Sequence, residues 1–357
     1  MINSSGAPGS AISAAGRVPV ATTSSQSAVV SRTRLARLAL LALLLPLVGV
    51  AALFVGSSAL APNEVFWSLL HPHAAGVTHT IVWELRLPRV LIALGVGAGL
   101  GIAGALLQAL FRNPLVDPYI TGVAAGAALA AAIGFTLQVA FALVPALAFC
   151  GGLACAALVA VLGGNETPAG NLRLVLAGVA ISALCSALVT LLLLHGGQAN
   201  GMPILAWLAG GINGRGWIDL RWTACYLGLG IASAFLQVHA VNLLRLGSVP
   251  AAGFGLPVAR ARFGVLVTAS LITAACVAVS GIVGFVGLMV PHVVRRFVSG
   301  DARWLLAGSA LAGGSVIVIA DVLARSLMPP TEIPLGVLLA LVGVPFFLTL
   351  TRRPVEL

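Results

Sequence analysis

The sequence lacks lysine altogether, and charged residues of any kind are scarce. Only 8% of its 357 residues are charged, and all 19 basic residues are arginine. A soluble domain of this length needs a far more polar surface, so the composition excludes an ordinary soluble fold. We interpret the missing lysine as a bias of genome composition.

Several catalytic signatures are absent as well. The sequence has no H-E-x-x-H pattern, which a helical metalloprotease would show, and no G-x-x-x-x-G-K-[ST] loop, which cannot exist without lysine. Its cysteines all lie in apolar runs without histidine partners at metal-site spacing, so we interpret them as small core residues. They are Cys150, Cys155, Cys185, Cys225 and Cys276. We therefore expect neither a metal site nor a catalytic residue.

What the sequence does contain is a long series of apolar segments. Hydrophobic residues make up 60% of the chain, and the mean hydropathy is +1.10. Such runs predict an all-α polytopic membrane protein, because the strands of a membrane barrel would alternate polar and apolar residues. The net charge of +10 does not indicate nucleic-acid binding, since the arginines form short clusters between apolar runs and no continuous basic face.

The stretch from Leu85 to Gly122 is the most informative part of the chain. Arg86 and Arg89 open an apolar run that Arg112 closes about 20 residues later, which is the length of a membrane span. Glycines recur inside this run with GxxxG spacing, which favours close packing against another helix over a lipid-facing position. They are Gly95, Gly97, Gly99, Gly101 and Gly104.

We predict ten transmembrane helices with both termini in the cytoplasm. Residues 1–34 are expected to form a disordered tail, and residues 35–357 a single ten-helix domain. The predicted spans are 38–61, 90–110, 119–138, 141–162, 174–194, 222–241, 263–279, 284–296, 304–324 and 335–350. A short interfacial helix is expected around 204–211. This topology leaves fourteen of the 19 arginines on the inner side, as the positive-inside rule requires.

The outer face carries the exceptions to that rule. Arg86, Arg89 and Arg325 lie beside helix ends, where arginines serve either as membrane anchors or as binding groups. Asp321 precedes Arg325 by four residues, a spacing that predicts an intrahelical ion pair. Histidines in the predicted outer loop (His71, His73 and His79) lack a carboxylate or cysteine at a set spacing, so we interpret them as solvated.

One polar stripe stands out within the spans. Ser182, Ser186 and Thr190 recur at four-residue intervals and share one face of the predicted fifth helix. Such a stripe either lines a transport pathway or bonds back to carbonyls of its own helix. The residues alone leave both alternatives open.

Several motifs together resemble a known family. They are L-R-L-P-R at 85–89, N-P-L-V-D-P at 113–118, W-L-A-G-G at 207–211, S-G-I-V-G-F-V-G-L-M-V-P-H-V-V-R at 280–295, D-V-L-A-R at 321–325 and E-I-P-L-G-V at 332–337. Because these motifs occur in the order found in one family, the chain resembles the permease subunits of ABC importers for iron chelates, haem and cobalamin, known as the BtuC/FecCD family. The resemblance covers roughly residues 35–357.

The resemblance implies an assembly as well as a fold. The permease would be a homodimer in the bacterial inner membrane, with two copies of a cytoplasmic ATPase below and a periplasmic binding protein above. ATP and Mg²⁺ would bind the ATPase, so this chain would hold no cofactor and catalyse no reaction. Its other partner would be the lipid bilayer, not nucleic acid.

The resemblance also implies roles for individual residues. Arg86, Arg89 and Arg325 would pair with acidic residues of the binding protein, and Asn113 and Leu115 would lie near the cytoplasmic gate. Residues 242–262 would form the segment coupled to the ATPase. Its central residues are Ala251, Ala252, Gly253, Phe254, Gly255 and Leu256. Many relatives carry an acidic pair after the glycine that matches Gly247, whereas this chain has Ser248 and Val249.

The expected activity is ATP-driven import by alternating access. We expect an iron chelate, either a ferric siderophore or haem, as the cargo, with cobalamin as the alternative. The rival from another class is an ion-coupled secondary transporter. Such a transporter would need unpaired ionisable groups near the middle of the membrane, and the sequence places few charges inside its spans.

Overall fold

The computed structural model describes residues 23–56, 58, 60–72, 76–163, 168–195, 197–298 and 300–351. Most of the predicted tail, His73, Arg352 and Arg353 lie outside the described residues. Within them the chain is helical, as predicted. Helix α1 begins at Thr23, ahead of the start predicted for the first span.

The described residues form fifteen α-helices joined by short turns. These are α1 (Thr23–Phe54), α2 (Pro62–Leu70), α3 (Val77–His79), α4 (Leu87–Phe111), α5 (Val123–Thr136), α6 (Val144–Gly163), α7 (Pro168–His195), α8 (Gly197–Ala209), α9 (Trp217–Leu236), α10 (Val238–Leu246), α11 (Ser248–Gly253), α12 (Val258–Ser280), α13 (Val286–Phe297), α14 (Ala302–Ser326) and α15 (Leu335–Thr351). A π-helix, Thr80–Arg86, joins α3 to α4. Helix α8 covers most of the predicted interfacial segment.

Six helical stretches in the described part are long and apolar enough to cross a membrane. They are Thr33–Phe54, Val77–Phe111, Phe141–Gly163, Leu172–His195, Val258–Ser280 and Ala302–Ser326. The pair α9 and α10, bent by 56°, makes a seventh if it counts as one span. Helices α5, α13 and α15 coincide with predicted spans, but with 14, 12 and 17 residues each is shorter than the stretch of about 20 residues that crosses a membrane. By length and composition, the described helices therefore do not confirm the predicted count of ten spans.

Helix α4 lies at the centre of the bundle, packed against α9, α12, α13 and α14. A methyl group on Gly97 would collide with the backbone of Gly313, and one on Gly104 would collide with the backbone of Gly287. These glycines therefore bring helix backbones into direct contact, as the GxxxG spacing predicted. Most of α4 is buried by this packing, which excludes the alternative of a lipid-facing span.

The chain is not helical between α12 and α13. Gly281 and Phe285 both have positive φ angles, 65° and 68°, and separate the two helices. The Tyr119 hydroxyl donates a hydrogen bond to the carbonyl oxygen of Val283 (2.7 Å) and accepts one from the Val283 amide (2.9 Å). Irregular backbone inside a membrane protein requires such internal partners. This break accounts for the shortness of α13.

The predicted orientation gives the bundle an outer and an inner end. The outer end is the end of α4 at Arg86 and Arg89, and the inner end is the end at Arg112.

Candidate functional site

At the outer end, Arg89 binds two carboxylates at once. Its Nε and Nη2 donate to Asp321 Oδ1 at 3.0 and 2.8 Å, while Nη1 and Nη2 donate to the two oxygens of Glu332 at 3.0 and 2.8 Å. Asp321 lies in α14, and Glu332 lies in the loop that leads from α14 to α15. Bidentate pairs of this kind fix both the distance and the orientation of the partners.

Two further arginines join the same cluster. Arg325 lies 3.5 Å from Asp321, which confirms the predicted intrahelical pair, and donates to the Ala52 carbonyl oxygen at 2.6 Å. Arg86 donates to the Leu53 carbonyl oxygen at 2.7 Å. Both arginines thus satisfy carbonyl groups of the last turn of α1, where the helix dipole favours a positive charge.

We call Arg86, Arg89, Arg325, Asp321 and Glu332 the outer cluster. Arg89 and Arg325 contact the carboxylates, and Arg86 is near enough to act electrostatically on Arg325, so three guanidinium groups and two carboxylates give the cluster one net positive charge. The arginines are largely covered: relative exposure is 4% for Arg86 and 3% for Arg325, and the side chain of Arg89 is 13% exposed. The structure thus brings the three predicted docking residues together, already in contact with groups of their own chain. Their role in docking stays a prediction.

Sequence reasoning missed Glu332 as a partner of Arg89. The signal was present in the E-I-P-L-G-V motif, but nothing in the spacing connects residue 332 to residue 89.

Sequence reasoning also missed Arg215. This arginine donates a hydrogen bond to the Val279 carbonyl oxygen (2.9 Å), pairs with Asp219 and lies over the Phe141 ring. Burial lowers the pKa of Arg215, and the nearby Asp219 carboxylate opposes that shift.

At the inner end, Asn113 and Leu115 belong to the turn that follows α4. The Leu115 amide donates to Asn113 Oδ1 at 2.9 Å, and both residues are exposed. This is a local turn stabilised by a side-chain oxygen. Their predicted function at a gate stays a prediction.

Gln108 connects this turn to α13. The Gln108 amide nitrogen donates to the carbonyl oxygens of Gly287 and Leu288 at 3.2 Å each, and more weakly to that of Val116 at 3.4 Å. Arg295 donates to the Gln108 amide oxygen at 3.0 Å. Gln108 is buried, so these contacts satisfy it where water is excluded. Sequence reasoning missed this residue.

Asp117 closes the same turn. Its carboxylate accepts a hydrogen bond from the Tyr119 amide at 2.9 Å. Burial raises the pKa of Asp117 to about 6, and this hydrogen bond opposes the shift. The carboxyl group therefore titrates near neutral pH, which the motif alone did not indicate.

The predicted coupling segment forms two short helices, α10 and α11, followed by a turn. Ala251 is fully buried, whereas Ala252, Gly253, Phe254 and Gly255 are exposed and Leu256 is partly buried. Val249 and Phe254 are exposed to 85% and 70%. A short helix with two exposed large apolar side chains can insert into a groove of a partner. The ATPase-coupling role stays a prediction.

Helix α10 is attached to the turn before α14. Asn242 donates to the Asp301 carboxylate at 2.9 Å and accepts from the Ala302 amide at 2.8 Å, and Arg245 donates to the Gly300 carbonyl oxygen. Burial acts to raise the pKa of Asp301, but the bonds from Asn242 and Arg303 outweigh it and lower the pKa. These bonds join α10 to the N-terminus of α14.

The polar stripe lies on the surface of α7. Ser186 and Thr190 are exposed and Ser182 is partly buried. The Thr190 hydroxyl donates to the Ser186 carbonyl oxygen at 2.9 Å, so Thr190 bonds to a carbonyl group of its own helix, one of the two alternatives given above. Lining of a pathway by the stripe stays a prediction.

The remaining candidate ligands form no cluster. No group of three or more histidine, cysteine or acidic residues in the described part of the chain could hold a metal ion. His71 stacks on Trp67 with ring centroids 4.4 Å apart, and His79 bonds to the Pro72 carbonyl oxygen at 2.7 Å.

Comparisons with known proteins agree with this architecture. A sequence model of the FecCD transport family matches residues 20–353. The hemin transport system permease protein HmuU of Yersinia pestis is 40% identical over 77% of this chain and 84% of its own length. The cobalamin import system permease protein BtuC of Halobacterium salinarum is 40% identical over 79% of this chain and 76% of its own.

A solved structure supports the same comparison. It is described as an inward-facing conformation of a metal-chelate type ABC transporter. The two chains are 32% identical and superpose with a TM-score of 0.80 over 89% of this chain and 99% of the other. The likeness therefore extends over nearly the whole bundle.

Proposed function

The chain belongs to the FecCD transport family, and we propose that it is the permease subunit of an ATP-driven importer of iron chelates. The observation that carries this proposal is the extent of the match. The family model spans residues 20–353, and the metal-chelate transporter superposes on most of the chain. The chain would itself be no enzyme, since ATP and Mg²⁺ would bind a separate ATPase.

We propose that the transporter contains two copies of this permease and two of the ATPase in the bacterial inner membrane. All ten predicted segments would cross the bilayer, with both termini in the cytoplasm. The short helices α5, α13 and α15 would cross together with the irregular segments beside them. The exposed apolar side chains along α1 and α7 are consistent with contact to lipid or to the second copy.

In this proposal a loaded periplasmic binding protein docks on the outer cluster. ATP binding then moves α11 against the ATPase. We expect this movement to spread through the contacts of α10 with the turn before α14, and of Gln108 with α13 and with Val116 in the turn after α4. Rigid-body shifts of this kind would open one gate and close the other.

We propose an iron chelate, ferric siderophore or haem, as the cargo. Relatives of comparable similarity are named for hemin, ferric citrate and cobalamin transport. Cobalamin is therefore the second candidate.

An ion-coupled secondary transporter is disfavoured by the outer cluster. Among the described residues, Asp321 is the one fully buried carboxylate within a span, and it pairs with Arg89 and Arg325. A coupling site would place an accessible ionisable group near the middle of the membrane.

The test is cargo uptake by the permease–ATPase complex in proteoliposomes, with the binding protein encoded beside the permease loaded with ferric siderophore, haem or cobalamin. We expect uptake of an iron chelate that requires ATP and persists when ionophores collapse ion gradients. Gradient-driven uptake without ATP would contradict the proposal. Uptake of cobalamin alone would identify cobalamin as the cargo in place of an iron chelate.

A further inference from the structure

The two carboxylates of the outer cluster differ in how firmly they are held. The Asp321 side chain is 3% exposed, lies within α14 and contacts both Arg89 and Arg325. The Glu332 side chain is 21% exposed, lies in the loop before α15 and, among the described residues, bonds to Arg89 alone. Displacing Asp321 would disrupt two buried pairs, whereas displacing Glu332 disrupts one at the edge of the cluster.

The loop can release the Glu332 side chain without losing its own attachment. The amide of the next residue, Ile333, donates to the Ala324 carbonyl oxygen at 2.9 Å, and the Leu335 amide donates to that of Gly210 at 2.9 Å. Both bonds involve backbone and do not depend on Glu332. A rotation of one side chain is therefore enough to free half of the Arg89 guanidinium group.

The charge of the cluster favours an anion at this position. With Glu332 in place the cluster carries one net positive charge, and without it two. Adjacent guanidinium groups in a largely covered site need a compensating anion. A carboxylate from another protein with the same bidentate geometry would satisfy Arg89 equally well.

We propose that Glu332 is an exchangeable carboxylate, which occupies Arg89 until an aspartate or glutamate side chain of the docking protein replaces it. This inference rests on the proposed docking of a periplasmic binding protein at the outer cluster. Glu332 thus competes with the partner and sets its affinity, while Asp321 keeps Arg89 in position before and after the exchange.

Competition predicts that removal of the Glu332 charge strengthens docking. When the binding-competent form is only a fraction of the population, the apparent affinity falls by that fraction. Glu332→Gln preserves size and shape but weakens the hold on Arg89, so we expect the dissociation constant to fall about threefold or more. Its salt dependence should steepen, because docking would then create a new ion pair instead of exchanging one.

The experiment measures binding of the periplasmic protein encoded beside the permease to the permease–ATPase complex in nanodiscs, by surface plasmon resonance at low and high salt. Glu84→Gln is the matched control: Glu84 is an exposed carboxylate next to the same helix end, and its loss changes the long-range field similarly. Glu332→Ala is a second variant with the same expectation. Assembly of each complex is checked by size-exclusion chromatography.

Tighter binding by both Glu332 variants, with Glu84→Gln unchanged, supports the exchange. Unchanged or weaker binding by the Glu332 variants, with normal docking of the unsubstituted complex, overturns it and leaves the proposed function intact. If the unsubstituted complex binds no periplasmic protein, both the proposed docking and this inference are overturned.

Discussion

Arg89 binds two carboxylates that lie 232 and 243 residues further along the chain. A guanidinium group suits this arrangement because each of two edges of its plane can donate a pair of hydrogen bonds to one carboxylate. The residues alone indicated an arginine at a helix end, either a membrane anchor or a binding group, and the family resemblance implied docking. The fold instead supplies Arg89 with partners from α14 and the following loop.

Asp321→Asn should destabilise the permease. The substitution leaves two buried arginines, Arg89 and Arg325, with one carboxylate fewer, and loss of one partner from a buried pair costs about 3–5 kcal/mol. We expect a clear drop in the thermal unfolding temperature in detergent. Glu332→Gln is the control, because a partly exposed pair contributes only about 1 kcal/mol or less. Equal effects of the two substitutions would contradict the assigned difference in burial.

Asp117 makes stability depend on pH. Its pKa of about 6 in the folded chain exceeds the ordinary value of 3.8, so the folded state holds the proton more tightly. Stability is therefore greatest below pH 4 on account of this group, and declines as the pH rises from about 4 to about 6.

Asp117→Asn removes this penalty and retains an oxygen that can accept the Tyr119 amide. We expect the variant to be more stable than the parent above pH 6, by up to about 3 kcal/mol, and the advantage to vanish below pH 4. Thermal unfolding between pH 4 and pH 8 measures this difference. A constant difference across that range would show that Asp117 does not titrate there.

At the scale of elements, α4 depends on glycine for its central position. Backbone contact with α14 at Gly97 and Gly313 leaves no room for a side chain. The sequence predicted close packing from the spacing of the glycines, but not which helix would be the partner. That choice depends on the arrangement of the whole bundle.

Gly97→Leu should prevent the packing of α4 against α14. Overpacking at such a contact costs about 1–3 kcal/mol or more, so we expect a lower folded yield and unfolding temperature. Gly228→Leu in α9 is the matched control, because a Cβ atom added there has no non-neighbouring atom within 4 Å. It should leave both quantities unchanged, and similar losses in the two variants would contradict the proposed packing.

Val249 in α11 and Phe254, directly after it, are exposed apolar residues of the predicted coupling segment. Phe254→Ala should uncouple the transporter, because an exposed aromatic anchor contributes most of the contact that such a short helix can make. We expect uptake to fall about tenfold or more while the permease stays folded. Leu137→Ala, equally exposed at the opposite end, is the control. Unimpaired uptake by Phe254→Ala would exclude this residue from the coupling contact.

At the scale of the whole molecule, burial is uneven. In an apolar 18-residue stretch of Val77–Phe111 and of Val258–Ser280, 78% of the residues are buried, whereas the share is only 22% in Thr33–Phe54 and Leu172–His195. Apolar helices at the periphery need lipid or another subunit to cover them. A transporter with one pathway at a twofold axis would use part of this surface between two copies.

We therefore expect two permease chains in each complex with the ATPase. Native mass spectrometry of the complex released from detergent measures the stoichiometry directly. A complex with a single copy of this permease chain would contradict the proposed homodimer.

The sequence by itself determined the all-α membrane class, the positions of most helices, the family and the close packing of α4. These properties depend on local hydropathy, glycine spacing and ordered motifs, which the chain carries in short segments. Tertiary structure decided the partners of Arg86 and Arg89, the network around Gln108, the raised pKa of Asp117 and the shortness of α13. Each of these depends on groups far apart in the chain, whose distances, burial and charges exist only after the helices have packed.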